Sequence, residues 1–298
     1  MRLDLVSLVT VVTTLPLAGC VLPGRPGPVS QSLVTSRQFS QQGIAAIERG
    51  QWDRAEELLA EAVETCPMDA DARRHHAEAL WHRGAREQAV AELEEAARLA
   101  VDDPRLHVLL ADRRLAIGRI ELARQSAQQA IDLDPRLADA WAIRGRVRRA
   151  CAQPDRALAD YHRALGLAPH DRTILLETAE LYRELGEAPR ALAALQTLAD
   201  TYSPGDEPPQ VLYLEGLAYA ALERWDEAAE SLADASTRGQ PTAEILFQLG
   251  RAELYAGRPV RAAQAARQAL ALQADHGPSR ELLGRAEIAQ RPDGAARR

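Results

Sequence analysis

The chain has 298 residues, of which 27% are charged and 46% hydrophobic, and its formal net charge is −7. This acidic balance argues against binding nucleic acid or an anionic membrane surface through charge. Aromatic residues make up only 4% of a chain rich in alanine, which favours closely packed helices over sheets.

The first segment, residues 1–20, has one arginine near its start, then the apolar run "LVSLVTVVTTLPL", and ends in "LAGC". The run is too short to span a bilayer as a stable helix, but it suits a secretory signal peptide. "LAGC", Leu17 to Cys20, resembles the lipobox of bacterial lipoproteins. The resemblance implies cleavage before Cys20, so that residues 1–19 are the signal peptide. It also implies acylation of Cys20 and an anchor in the cell envelope, at the outer membrane or the periplasmic face of the inner membrane.

Two alternatives to lipidation remain open from these residues alone. The segment is then either an ordinary signal peptide or the start of a cytoplasmic protein, with a cysteine at position 20 by chance. The next residues, 21–35, include Pro23, Pro26 and Pro28, which disfavour a helix. Residues 20–35 are therefore predicted to form the lipidated cysteine and an extended tether.

From residue 36 the sequence repeats itself every 34 residues. Alanines recur at that spacing up to Ala191 and resume after an insertion around "YSPGDEPPQ": Ala55, Ala89, Ala123, Ala157, Ala191, Ala228 and Ala262. A small residue lies twelve positions before each of them: Gly43, Ala77, Ala111, Gly145, Ala179, Gly216 and Gly250. The spacing predicts pairs of helices that approach closely at these small residues.

This pattern resembles the tetratricopeptide repeat, a helix–turn–helix unit of 34 residues. The fullest match is residues 140–169, where six residues fall at the family's positions: Trp141, Gly145, Ala157, Tyr161, Ala164 and Pro169. The resemblance implies an all-α, right-handed solenoid with seven repeats in residues 36–276. Residues 277–298 are predicted to form a capping helix and a disordered tail. Five glycines are predicted to end first helices in a left-handed conformation: Gly50, Gly84, Gly118, Gly186 and Gly257.

No nucleophile–base pattern, phosphate loop or dinucleotide fingerprint occurs in the sequence, so we expect no catalysis and no cofactor. His75, Glu78 and His82 share one helix face and are the best candidates for zinc ligands. Their spacing spans two helical turns and no fourth ligand is evident, so we expect no metal site.

The family binds peptides or helices of other proteins on the concave surface formed by its first helices. The resemblance therefore implies a membrane-anchored scaffold that binds envelope proteins during complex assembly, and not nucleic acid. Two other functions stay open. One is an accessory or sensor protein that binds a small ligand or sugar in the groove. The other is a cytoplasmic assembly factor, if the N-terminus is not a signal.

The register predicts where a partner binds. Inward positions of repeats one to five are largely polar and include Arg74 and Arg105, which we expect to contact acidic residues of the partner. In repeats six and seven the inward positions become largely apolar: Tyr213, Leu217, Phe247, Arg251, Leu254 and Tyr255. Exposed aromatic patches mark protein contacts, so an amphipathic helix or extended segment is expected here. The alternative is that superhelical curvature or the capping helix covers them.

Overall fold

The computed structural model describes residues 28–291, and these residues form fifteen helices and no strand. Their bounds are α1 Pro28–Glu48, α2 Trp52–Thr65, α3 Ala70–His82, α4 Arg86–Leu99, α5 Pro104–Ala116, α6 Ile120–Leu133, α7 Ala138–Ala150, α8 Pro154–Leu167, α9 Arg172–Glu184, α10 Ala188–Ala199, α11 Pro209–Ala221, α12 Trp225–Arg238, α13 Ala243–Tyr255, α14 Pro259–Leu272 and α15 Gly277–Ala289. The expected all-α solenoid is confirmed. None of these helices is both long and apolar enough to cross a membrane.

Two kinds of local signal set the helix ends. Asp69, Asp103 and Asp171 precede first helices, and their carboxylates accept hydrogen bonds from backbone N–H groups of the first turn. The five predicted glycines end first helices with φ between +70° and +86°. In repeats four and six the same position is Ala152 (φ +53°) and Glu223 (φ +59°), which adopt the left-handed conformation without being glycine.

The two helices of a repeat touch where the small residues lie, as the spacing predicts. A Cβ atom added to Gly145 would lie 2.6 Å from the ring of Tyr161, and one added to Gly216 would lie 2.5 Å from Leu232 Cγ. Tyr161 is 0% exposed, so its ring lies directly against the α7 backbone. Glycine is therefore required at position 145 of α7, because the Tyr161 ring of α8 occupies the space that any side chain at that position would need.

Seven helix pairs stack in chain order, and α15 covers the last of them. Leu282 of α15 lies against Gly250, and Ala286 packs with Ala262 and Ala263 of α14. The predicted capping helix is therefore present. Residues 292–298, which contain the predicted tail, lie outside the described residues.

The start of the first helix differs from the prediction. Helix α1 begins at Pro28, so residues 28–35, which we predicted to belong to the extended tether, are helical. Pro28 is compatible with this because proline is well tolerated in the first turn of a helix. Ser36 is buried and donates a hydrogen bond to Asp69, which ties this part of α1 to the second repeat. The predicted signal peptide, Cys20 and the tether up to residue 27 lie outside the described residues.

Candidate protein-binding groove

The first helices of the repeats form the inner wall of the solenoid. Helices α1 and α3 contact each other, as do α5 and α7, α9 and α11, α11 and α13, and α13 and α15. Second helices make no comparable contacts with one another within residues 28–291. Since alternate helices meet only on the side toward which a solenoid curves, the first helices line its concave groove.

One register position illustrates how this wall changes along the chain. It is occupied in turn by Ser40, Arg74, Val108, Ala142, Leu176, Tyr213 and Phe247. We call the inner face of α5, α7 and α9 the central wall, and that of α11, α13 and the start of α15 the C-terminal wall. The two walls share a backbone arrangement, so their side chains decide what each can bind.

The central wall is held by a ladder of ion pairs between successive first helices. Arg146 of α7 lies between two carboxylates: its Nη1 is 3.2 Å from Asp112 Oδ1 of α5, and its Nε is 2.7 Å from Glu177 Oε1 of α9. Arg149 of α7 donates to the Glu184 carboxylate of α9, with Nε and Oε2 3.2 Å apart. These arginines are already paired, so the expectation that inward arginines contact acidic residues of a partner does not extend to them.

The C-terminal wall lacks such a ladder and carries aromatic side chains. Tyr213 and Leu217 of α11 are half-buried and pack against the core formed by α9, α10 and α11. Burial raises the pKa of the Tyr213 hydroxyl, and the nearby Glu244 raises it further. These side chains therefore have one face in the core and the other toward the groove.

Two of the predicted anchors contact the capping segment. The ring of Phe247 is half-buried and meets His276, just before α15, edge-on, with centroids 5.8 Å apart. Leu254 packs against the cluster of Ala262, Ala263 and Ala286 at the α14–α15 contact. Both side chains are half-buried, so each keeps part of its surface open.

Polar atoms without partners lie beside these aromatic rings. The Nε of Arg251 and the Oε1 of Gln248 are buried, and neither has a hydrogen-bond partner. The Gln248 amide nitrogen donates to Glu244 Oε1 at 2.6 Å, which fixes the orientation of the amide. A buried unpaired polar group destabilises a protein by about 1–3 kcal/mol, so both atoms favour a ligand that supplies partners.

Tyr255 lies at the end of α13 nearest the turn. It is the last residue of α13 and is 50% exposed, and its ring stacks on Trp225, the first residue of α12, at a centroid distance of 4.6 Å. Its hydroxyl accepts a hydrogen bond from Arg285 Nη2 of α15 at 3.3 Å. Neighbouring helices therefore hold the ring, and half of the residue surface stays exposed. Trp52 and His82 form the same stack in repeats one and two.

The predicted arginines of the early repeats lie on α3 and α5. Arg74 is half-buried, and its guanidinium lies 3.3 Å from Asp71 on the same helix. Arg105 is exposed, and its side chain has no ion pair within the described chain. Arg105 is thus free to contact a partner. Arg74 would first have to give up its solvent-exposed ion pair with Asp71.

The three residues weighed as zinc ligands do not converge. His75 Nδ1 lies 3.7 Å from Glu78, whereas His82 is stacked on Trp52. Burial lowers the pKa of His75, and the neighbouring Arg74 lowers it further. Within residues 28–291 no group of three or more His, Cys, Asp or Glu side chains is arranged to hold a metal ion.

Sequence reasoning missed Gln248, because a single glutamine inside a helix carries no functional signal. The same position holds Gln41, His75, Leu109, Ile143, Glu177 and Leu214 in other repeats, so the column mixes polar and apolar residues. Both Gln248 and Glu177 have a buried oxygen without a hydrogen-bond partner, and this burial, which the sequence does not show, distinguishes them.

Comparison with known proteins agrees with this architecture. Tetratricopeptide repeat profiles match residues 46–113 and, in three overlapping matches, residues 145–279, which together exceed half of the chain. No curated protein matches the sequence.

Solved structures with the same fold include three tetratricopeptide-like solenoids. Pseudomonas aeruginosa PilF is 21% identical with a TM-score of 0.59, covering 68% of this chain and 91% of PilF. A tetratricopeptide repeat protein of Parabacteroides merdae is 16% identical with a TM-score of 0.59, covering 85% of this chain and 99% of that one. YrrB, described as having an unusual peptide-binding site, is 18% identical with a TM-score of 0.56, covering 63% and 96%. On the repeat profiles and the seven stacked helix pairs, the chain belongs to the tetratricopeptide repeat family.

Proposed function

We propose that this chain is a lipid-anchored scaffold of the cell envelope that holds segments of other proteins in its groove during complex assembly. Tetratricopeptide repeat proteins act as protein-binding scaffolds, and a peptide-binding site is described for YrrB, which has this fold. The envelope location rests on the sequence "LAGC" that ends in Cys20.

The observation that carries protein binding is the C-terminal wall. It combines part-exposed rings of Tyr213 and Phe247 with the unpaired Arg251 Nε and Gln248 Oε1. Aromatic rings supply apolar contact area, and the buried donor and acceptor match the C=O and N–H groups of a peptide backbone once the two side chains turn toward the groove. A segment that covers the rings and pairs these atoms gains both contributions.

Site-specific photo-crosslinking tests the groove. A photoreactive phenylalanine analogue is placed at Phe247 or, as a control in the same repeat, at Val260, which is 67% exposed on the second helix α14 and lies outside the groove wall. We expect irradiation of native-host cells to attach a distinct envelope protein to the chain at position 247 and not at 260. Equal yields from the two positions, or no protein product at 247, would contradict protein binding at this wall.

Metabolic labelling tests the anchor. Cells fed labelled palmitate should label the wild-type chain but not the Cys20→Ala variant. Cys151 carries an exposed thiol in the solenoid, so Cys151→Ala is the control variant and should be labelled like the wild type. Label that persists in Cys20→Ala would remove the lipid anchor from the proposal.

A further inference from the structure

A cavity opens on the central wall between α7 and α9. Its volume is about 370 Å³, and it is lined by Arg146, Arg149, Ala150, Tyr161, Glu177 and Glu180. It belongs to the same groove as the proposed binding wall, in repeats four and five. No sequence motif predicts it, because its residues come from three helices.

Tyr161 makes this cavity different from the equivalent places in other repeats. The residue comes from α8, and its ring reaches across α7 because Gly145 has no side chain. The same position in the other repeats is Leu or Ala: Leu59, Leu93, Ala127, Leu195, Leu232 and Ala266. Only repeat four therefore brings a hydroxyl through the helix pair to the inner wall. Tyr161 is 0% exposed, and its hydroxyl has no hydrogen-bond partner within 3.5 Å among the described residues, although Arg149 and Glu177 are near enough to interact with it.

The unpaired groups of the cavity include a carboxylate oxygen that accepts and a hydroxyl that both accepts and donates. Glu177 Oε1 receives Arg146 Nε, but Glu177 Oε2 is buried without a partner. Glu180 is only loosely held, with one oxygen 3.7 Å from Arg149 Nη1 and the other 3.4 Å from Gln210 Nε2. The guanidinium groups are already engaged, so an anionic ligand finds few donors here.

The charge balance points the same way. Asp112, Glu177, Glu180 and Glu184 surround Arg146 and Arg149. Even with Arg113, which also contacts Asp112 at 3.2 Å, carboxylates outnumber guanidinium groups. Burial raises the pKa of Glu177, although Arg146 and Arg149 favour its ionised form.

We propose that this cavity binds the side chain of a lysine in a partner protein segment. The ammonium group has three N–H donors, which match Glu177 Oε2, the Tyr161 oxygen and the Glu180 carboxylate. The side chain of Arg149 is 29% exposed and lies at the rim, so its rotation admits the lysine. The inference extends the proposed function, since the lysine belongs to a segment held in the groove. It also reverses the charge that we expected a partner to present to the inward arginines of these repeats.

Fluorine NMR of the full chain containing 3-fluorotyrosine tests the cavity without a known partner. The Tyr161 signal is assigned as the one lost in Tyr161→Phe. The probes are acetyl-Gly-Lys-Gly-amide, acetyl-Gly-Glu-Gly-amide and n-butylammonium. We expect a saturable shift of the Tyr161 signal with the lysine peptide and with butylammonium, and no saturable shift with the glutamate peptide.

A matched pair of variants locates the effect. Glu177→Gln should weaken binding of the lysine peptide about tenfold, whereas Glu244→Gln, on the C-terminal wall, should leave it unchanged. The wild-type comparison of lysine and glutamate peptides decides the matter even where Glu177→Gln fails to fold.

Three results would overturn the proposal. The first is no saturable shift with the lysine peptide, and the second is equal binding of the glutamate peptide. The third is butylammonium binding much more tightly than the lysine peptide, which would assign the cavity to free amines. Crosslinking at Phe247 does not depend on any of these results, so the proposed function is judged separately.

Discussion

The central and C-terminal walls of the groove are built on one repeat, but they treat their polar groups differently. In repeat four, Asp160 is buried and accepts hydrogen bonds from Arg144 Nε and Nη2 at 3.0 and 2.7 Å. The corresponding positions two repeats later are Glu215 and Ser231, neither of which is an arginine. Burial, together with Glu207, raises the pKa of Glu215 to about 7.

The same contrast holds on the groove itself. Arg146 links three first helices in the central wall, whereas Arg251, at the same register in repeat seven, has a buried Nε without a partner. Paired side chains such as Arg146 hold successive first helices together, whereas unpaired groups, such as Arg251 Nε in the C-terminal wall and Glu177 Oε2 in the central cavity, retain free energy for a ligand. Packing between helices is common to both regions, so binding capacity depends on the wall positions alone.

The largest expected effect is on the buried ion pair of the central region. Asp160→Ala leaves the guanidinium groups of Arg144 and Arg148 without their carboxylate, so we expect unfolding free energy to fall by about 3 kcal/mol. Denaturant unfolding followed by circular dichroism measures this. Glu121→Ala, which removes a solvent-exposed partner of Arg124, should leave the midpoint unchanged. Equal unfolding midpoints for Asp160→Ala and Glu121→Ala would mean that the ion pairs of Asp160 with Arg144 and Arg148 do not stabilise the central repeats.

A second change tests the part that the two regions share. Gly145→Ala and Gly216→Ala each add a methyl group that clashes with a side chain of the second helix, Tyr161 and Leu232 respectively. Each variant should therefore be destabilised by about 2 kcal/mol. Gly166→Ala, where no atom lies within 4 Å, is the control and should stabilise α8 slightly. A large difference between the first two variants would show that packing also differs between the regions.

The third prediction concerns pH and applies to the C-terminal region. The pKa of Glu215 is raised from 4.5 to about 7, so the folded state favours the neutral acid. Stability from this group is present below pH 4.5 and is lost as the pH rises from 4.5 to about 7. Glu215→Gln should therefore raise the melting temperature at pH 8 and leave it unchanged at pH 4. An equal change at both pH values would mean that Glu215 does not titrate in this range.

The smallest effect tests the turns of both regions. Ala152→Gly and Glu223→Gly relieve left-handed strain and should each stabilise the protein by about 0.5 kcal/mol. The effect is small because glycine also gains freedom in the unfolded chain, which offsets part of the relieved strain. Gly118→Ala, at the same position in repeat three, should destabilise it by about 1 kcal/mol. Chemical denaturation of the three variants under one condition resolves the signs, and a loss of stability in Ala152→Gly would refute the strain.

The helix pairs could be predicted from the sequence because they rest on spacing. Small residues such as Gly145 recur every repeat, and a glycine such as Gly118 marks the end of a first helix. The helical residues 28–35 were missed because three prolines suggested an extended chain, although Pro28 only starts the helix.

The groove could be predicted only in part. Register alone placed Phe247, Arg251 and Tyr255 on the inner wall, but it did not predict that the Tyr255 ring stacks on Trp225 of the preceding repeat. The ladder around Arg146 was also hidden, because it joins residues about one repeat apart whose side-chain lengths decide whether they meet. Contacts between repeats need coordinates, whereas contacts within a repeat follow from periodicity.

The affinity of the protein segment that crosslinks at the C-terminal wall tests the central claim most directly. Fluorescence anisotropy of the labelled segment is measured with wild type, Phe247→Ala and Val260→Ala, all folded by circular dichroism. The account predicts that Phe247→Ala raises Kd about 30-fold, equivalent to about 2 kcal/mol for an aromatic anchor, and that Val260→Ala, on the exposed face of α14, leaves Kd unchanged. An unchanged Kd in Phe247→Ala, or a larger loss in Val260→Ala, would contradict it.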